Sequence, residues 1–412
     1  MDGSEPPVER CRWWPAIAVF VLGAAVYSGT ALLADLPATP ALAYFDELAD
    51  AFLHGRLHLE NPGVEIDLTS HQGRWYVPFP PLPALLLVPW VAAAGVDGVS
   101  TVALGVLLGA ASCALVFALL DALRRHGYLA LARSDPVWLT VLFALGSVNW
   151  YLAPAGTVWF LGQVSAVPAL AAAALLAATG RPPWAAGAAL GAAMLARPHL
   201  LLAWPLLAGL ARQRIVSGDD PATYRAWRRW CLVSLAPVAA AAALLGAYNE
   251  ARFGDPLEFG YRRQLVNARV ARDLAFHGQF NPRYLPRNLR VMLVAPPQRG
   301  PRGVPVPSDE GTGLLWTMPA LVLLAGALRP ARRSALLAGA WVALLATALL
   351  LALYYTTGWR QFGYRFSLDF LVPALVLLGG ALTPRTRPAL WALTLLGVLV
   401  NAWGTVWWYT LP

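Results

Sequence analysis

The chain contains no lysine: all 31 of its basic side chains are arginines. Charge of either sign is scarce, 13% of 412 residues against 58% hydrophobic ones, and the mean hydropathy is +0.54. Such proportions exclude a soluble globular domain and point to a polytopic membrane protein. Only three cysteines occur, Cys11, Cys113 and Cys231, too scattered for a disulfide framework or a cysteine metal site. No Gly-rich phosphate loop with a lysine exists, and no serine triad is legible. The six histidines, His54, His58, His71, His126, His199 and His277, fall in no ligand pattern. The pI of about 9.8 comes without a basic soluble domain, so nucleic acid is not an expected partner.

What is present is a series of apolar runs. Runs near the ~20 residues needed to cross a bilayer core begin around Trp13, Ser100, Pro136, Thr157, Trp230, Thr312, Ser334, Asp369 and Pro388. Two more, 183–196 and 198–211, are separated by the break at Arg197-Pro198. The N-terminal run exceeds signal-peptide length and reads as an uncleaved first span. Residues 80–95 are short and interrupted by Pro81, Pro83 and Pro89. Arginine placement decides their role, because basic residues of short loops stay cytoplasmic. If 80–95 does not cross, Arg10, Arg12, Arg124, Arg125, Arg133, Arg181, the Arg212 to Arg229 cluster, Arg329, Arg332, Arg333, Arg385 and Arg387 all lie inside. The expectation is therefore an all-α polytopic membrane protein, one integral domain over 1–412. It has about eleven spans, a re-entrant or juxtamembrane helix at 80–95, a cytoplasmic N-terminus and long extracytoplasmic segments at 35–100 and 249–311.

Several constellations stand out against this background. In Tyr44-Phe45-Asp46-Glu47-Leu48-Ala49-Asp50-Ala51-Phe52-Leu53-His54-Gly55, the apolar residues follow helical spacing. They predict a short amphipathic helix stopped at Gly55, with Asp46 and Asp50 on one polar face. A carboxylate there can take a proton from an acceptor hydroxyl, or Asp46 and Glu47 can simply complement the helix N-terminus. The stretch Gly73-Arg74-Trp75-Tyr76-Val77-Pro78-Phe79-Pro80-Pro81 reads equally as a lipid-binding lip, with Tyr76 in it, or as an interfacial aromatic belt. Residues 280–290 are basic and amphipathic and read as a helix resting on anionic headgroups. In Gly358-Trp359-Arg360-Gln361-Phe362-Gly363-Tyr364-Arg365-Phe366-Ser367-Leu368-Asp369, two arginines share a short outer loop, which calls for a carboxylate or phosphate partner. Arg365 and Asp369, four apart, offer an internal pair as the alternative. Arg197, at the Pro-marked break, either faces a lipid phosphate or snorkels.

Taken together, Asp46-Glu47 after the first span, Phe79-Pro80-Pro81-Leu82, the Leu195-Ala196-Arg197-Pro198 break and Gly363-Tyr364-Arg365-Phe366 resemble the C-type glycosyltransferases, polytopic enzymes that use polyprenyl-phosphate sugars. The resemblance implies a GT-C-like bundle in the cytoplasmic membrane, working in cell-envelope glycan biosynthesis. It implies a polyprenyl-phosphate sugar donor, a glycan, lipid or protein acceptor, and inverting transfer. Asp46 would be the general base, with Glu47 as its neighbour or as an alternate that contacts a metal; Arg365 and Arg360 would hold the phosphate, with Tyr364, Asp50, Arg197 and Tyr76 around the substrates. Phe79 stands where many members have a basic residue, and the stretch Tyr151 to Thr157 lacks a second acidic motif. That departure argues against a divalent cation and implies phosphate neutralisation by arginine alone. A transporter or flippase of lipid-linked intermediates, or a non-catalytic protein of the same fold, is the alternative; a transporter would show repeats and ionisable residues near mid-membrane.

Overall fold

A computed structural model describes residues 13–300, 303–308, 310–329 and 334–410. Arg10, Cys11, Arg12, Arg332 and Arg333 of the topology argument lie outside them. The chain runs through α1 (Trp14–Leu33), α2 (Phe45–Leu53), the hairpin of β1 (Thr69–His71) and β2 (Arg74–Tyr76), α3 (Leu82–Ala94) and α4 (Thr101–Arg125). Next come α5 (Asp135–Ala144), α6 (Asn149–Leu152), α7 (Val158–Ala178), α8 (Pro183–Met194), α9 (Trp204–Ile215) and α10 (Pro221–Phe253). The last part holds α11 (Ala268–His277), α12 (Leu285–Leu293), β3 (Gln298–Arg299), β4 (Pro305–Val306), α13 (Leu314–Thr317), α14 (Ala335–Ala352), α15 (Leu368–Ala381) and α16 (Arg387–Thr410).

The fold is all-α, as expected, and among the described residues six helices are long and apolar enough to cross a membrane: α1, α4, α7, α10, α14 and α16. The other five predicted spans are shorter pieces: α5, α8, α9, the 3₁₀ stretch Pro319–Leu328 and α15. Proline sets the start of several of them, at Pro136, Pro183, Pro205 and Pro319, where the missing N–H costs nothing. Every residue of α15 is buried, so this 14-residue helix is the hub of the bundle, about 21 Å long against a ~30 Å hydrocarbon core. By contrast α1 buries only Ala16 and Tyr27 and presents the rest of its apolar surface outward. Helix α3, 13 residues, packs on α2 and α7 and is about 20 Å long, too short to cross alone.

Caps and small residues fix the geometry. The hydroxyls of Ser100 and Ser334 and the Asp220 carboxylate accept from first-turn N–H groups of α4, α14 and α10. α9 and α14 meet at Gly209 and Gly339, where an added Cβ would lie 2.4 Å from the Ala335 carbonyl and 2.2 Å from that of Pro205. At the far side of the bundle, Arg387 Nε pairs with the fully buried Asp135 at 2.9 Å and ties α16 to α5.

The segments 35–100 and 249–311 are sewn together by main-chain bonds. Asp67 N–H donates to Leu265 O (2.8 Å), Leu265 N–H to Leu68 O (2.9 Å), and Thr69 Oγ1 to Gly260 O (2.9 Å). A second seam joins 249–311 to the loop before α15. There Tyr355 N–H donates to Gln279 O (3.0 Å), Asn281 N–H to Leu353 O (2.8 Å), and Thr312 N–H to Phe362 O (2.7 Å). Residues 261–281 therefore bridge the region of α2 to the region of Arg365.

Candidate functional site

Helix α2 forms where the sequence predicts, and its entry explains its carboxylates. Tyr44 takes a left-handed backbone (φ 55°) and anchors its hydroxyl on Ile66 O at 2.8 Å; the helix then runs to Leu53, and Gly55 (φ 69°) ends it. Phe45, Leu48 and Ala49 join Leu68, Ala84, Leu87 and Val158 in an apolar cluster that encloses the first turn. Asp46 is consequently only 6% exposed, and its Oδ1 has no hydrogen-bond partner. Burial raises its pKa, partly offset by its own N–H and that of Glu47. Half-buried Glu47 is pushed up to about 7, by burial first and by the charge of Asp46 second. The helix N-terminus favours both anions, yet desolvation outweighs it.

Asp46 and Asp50 do not share a solvated face, because the enclosed first turn separates their environments. Asp50 instead pairs with Arg56 (3.4 Å) and His54 (3.5 Å). With Glu47, Arg56, Glu60 and Asn61 it lines a cleft of about 260 Å³.

The arginines divide equally sharply. Arg360 is exposed on a left-handed backbone (φ 50°) and makes no ion pair among the described residues. Arg365 is 8% exposed, its guanidinium 5.3 Å from the Phe160 ring and 5.1 Å from the Phe366 ring. Its backbone is held on both sides: its N–H donates to Gln361 Oε1 (3.0 Å) and Gln163 Nε2 donates to its carbonyl (3.1 Å). Its Nε has no partner, and no carboxylate among the described residues lies within ion-pair distance. The i,i+4 pair with Asp369 is absent because Arg365 sits in a 3₁₀ turn ahead of α15 rather than on it. Asp369 accepts instead from Arg197 Nη2 (2.6 Å) and contacts His199 Nε2 (2.9 Å). Arg197 also lies 5.3 Å from the Phe366 ring, so that ring carries a neutralised and an unneutralised guanidinium. Tyr364 is fully buried beside them with its hydroxyl unpartnered. Tyr76 packs its ring against Phe253 at 5.3 Å and is a core residue of the hairpin rather than a lip.

Two charged residues escaped the sequence reading. Asp67 has a left-handed backbone (φ 62°), and its carboxyl is pushed up to about 6 by burial, with the Arg365 charge and a hydrogen bond from the Trp159 indole acting the other way. Tyr44 is raised by burial and by the charges of Asp67 and Glu47. Arg252, 3% exposed at the end of α10, donates to Val77 O (2.8 Å) and Asn249 Oδ1 (2.7 Å) and sits 3.9 Å over the Tyr248 ring. The one signal for Arg252 was a charge closing a long apolar helix. For Asp67 there was none beyond a polar residue between Ile66 and Leu68. Among the described residues no three His, Cys, Asp or Glu side chains are grouped so as to hold a metal ion.

No family model and no curated protein matches the chain. Two solved structures are similar to it. ArnT from Cupriavidus metallidurans bound to undecaprenyl phosphate superposes with a TM-score of 0.48 at 15% identity, over 90% of this chain and 61% of that one. The oligosaccharyltransferase of Archaeoglobus fulgidus in the apo form does so with a TM-score of 0.47 at 16% identity, over 97% and 56%. The chain thus spans about three-fifths of the length of either.

Proposed function

We propose that the protein is a multi-pass membrane glycosyltransferase of the C type, moving a sugar from a polyprenyl-phosphate carrier to an acceptor hydroxyl at the outer face of the cytoplasmic membrane, its N-terminus inside. The observation that carries this is Arg365: a guanidinium enclosed by two aromatic rings, with pinned backbone and no counter-ion, on the same side of the bundle as carboxyls whose pKa values burial has raised. A buried cation of this kind is costly unless an anion joins it, and the guanidinium fork suits a phosphate. Its aromatic walls lower the local dielectric and strengthen that interaction.

In the reaction, the acceptor oxygen attacks the anomeric carbon while Asp46 takes its proton. The bond from that carbon to the phosphate oxygen breaks, the electron pair leaves with the polyprenyl phosphate, and the configuration inverts. A base should have a pKa near the working pH, and burial moves Asp46 in that direction. Glu47 opens on the cleft, and the charge of Asp46 adds to the burial that raises it. Arg365 stabilises the charge growing on the leaving phosphate, and Tyr364 and the Asp369-paired Arg197 complete the phosphate end. Phosphate neutralisation is assigned to arginine, since the guanidinium of Arg365 has no ion pair of its own among the described residues.

The test is release of free polyprenyl phosphate from a panel of polyprenyl-phosphate sugars by purified protein in liposomes, wild type against Asp46→Asn, with and without chelator. Turnover that collapses in the variant and resists chelation is the expected result. No turnover with any donor, or equal turnover in the variant, removes this reading.

A further inference from the structure

One side chain beside Arg365 has both of its polar atoms in use, and each partner belongs to a different stretch of main chain. Gln361 is 1% exposed; its Nε2 donates to Glu310 O at 2.7 Å and to Thr357 O at 2.7 Å, and its Oε1 accepts from the Arg365 N–H at 3.0 Å. A primary amide offers two N–H donors and one carbonyl oxygen. This amide therefore ties together the end of the outer segment 249–311, the loop after α14 and the 3₁₀ turn that carries Arg365. The backbone around it is bent to suit: Arg360 is left-handed (φ 50°), and Gly358 (φ 107°) lies in the region that favours glycine. An added Cβ at Gly358 would stand 2.8 Å from Gln361 Oε1 and 2.9 Å from Arg365 Nε, and one at Gly311 would stand 2.9 Å from Gln361 Cγ. Backbone of this kind persists only where its surroundings over-determine it.

From Glu310 the contacts continue outward. While its carbonyl accepts from Gln361, its carboxylate takes Arg287 of α12 at 2.5 Å and Arg269 of α11 at 3.3 Å, and Arg287 also reaches Asp273 of α11 at 3.5 Å. Gln163 offers a contrast on the opposite side of the same residue. It donates to Arg365 O from α7 and leaves its own Oε1 unpartnered. Gln163 thus fastens Arg365 to the bundle, and Gln361 fastens it to the outer segment.

We infer that Gln361 is the positioning residue for Arg365, and that the Glu310 cluster of α11 and α12 sets Arg365 through it. The inference rests on the transferase reading above, in which Arg365 meets the leaving phosphate. Stabilisation of charge that grows in the transition state depends on where the guanidinium stands when the bond breaks. Loosening its turn therefore lowers kcat more than it raises KM.

The experiment is a double-mutant cycle on release of polyprenyl phosphate from the panel of polyprenyl-phosphate sugars by purified protein in liposomes. It uses Gln361→Met, Glu310→Gln and Arg365→Gln, singly and with each of the first two combined with the third, and Tm in detergent is measured for each protein. Gln361→Met keeps the side-chain length and removes all three bonds; it should lower kcat about 10- to 100-fold while KM changes less than about threefold. Glu310→Gln keeps the carbonyl but releases Arg269 and Arg287, and should lower kcat about two- to fivefold, the range of a partly exposed ion pair. It carries the test if Gln361→Met does not fold. On the Arg365→Gln background neither change should lower kcat further, because a residue that acts through Arg365 has nothing left to place. Losses that multiply with that of Arg365→Gln, or wild-type kcat in both single variants, overturn the positioning role and leave the transferase reading standing. Wild-type kcat in Glu310→Gln alone overturns the link to α11 and α12. If Arg365→Gln turns over like wild type, or wild type turns over no donor, the reading of Arg365 as phosphate clamp falls, and the positioning role with it.

Discussion

Asp46 and Asp369 occupy the same kind of position, a buried first turn of a helix, and end in opposite chemical states. Asp369, 1% exposed at the start of α15, holds Arg197 at 2.6 Å and His199 at 2.9 Å. Asp46, 6% exposed at the start of α2, has no ion pair among the described residues, although each of the two carboxyls has an Oδ1 without a hydrogen-bond partner. Burial is common to both, so burial does not make a carboxyl reactive. The counter-charge decides: the aspartate paired with Arg197 is a structural anion, and the one with no cation beside it is left readier to take up a proton.

The comparison can be broken from either side. Asp369→Ala leaves Arg197 buried without its anion and should lower folding stability by about 3–5 kcal/mol, seen as a large fall in Tm in detergent. Asp46→Asn should leave Tm unchanged or slightly higher, since it removes a desolvated, unpartnered charge, while turnover drops about 10²- to 10⁴-fold. Arg365→Gln should cost about 10²- to 10³-fold in turnover and weaken polyprenyl monophosphate binding with little loss of stability.

A smaller effect lies in pH. Asp46 accepts a proton only as carboxylate, so kcat/KM should fall as pH drops through the range where the raised Asp46 and Glu47, the latter at about 7, gain protons. Glu47→Gln removes the group pushed up to about 7, so the upper part of that acid limb should disappear and the limb should move to lower pH. Least of all, Arg360→Gln should change turnover by less than about twofold, because an exposed unpaired arginine contributes little. A large loss there would mean that the two arginines act together.

How much of this was legible beforehand follows from which forces are local. The apolar spacing of Phe45, Leu48, Ala49 and Phe52 and the stop at Gly55 marked α2 with its carboxylates, and hydropathy marked the six long helices. The difference between Arg360 and Arg365 could not be read there. It arises from Phe160 in α7, some two hundred residues earlier in the chain, which stacks on one arginine and not the other. The choice of Arg197 over Arg365 as the partner of Asp369 depends likewise on a 3₁₀ turn that sequence spacing does not distinguish from an α-helical one. Asp67 was invisible because its placement comes from a main-chain bond to Leu265 and a left-handed backbone, neither of which leaves a mark in composition.

The seams through residues 261–281 also set a schedule. The acidic corner is synthesised first and the buried arginine roughly 300 residues later, which at ordinary elongation rates of about 5–20 residues per second is a delay of tens of seconds. For most of that interval α2 is already made while the strap that joins it to the arginine loop is still unmade. The nascent chain therefore spends most of its synthesis with the proposed base and without the proposed phosphate clamp, and on that reading competence waits for the last loop to dock. A chain arrested before α15 should be inserted, helical and inert.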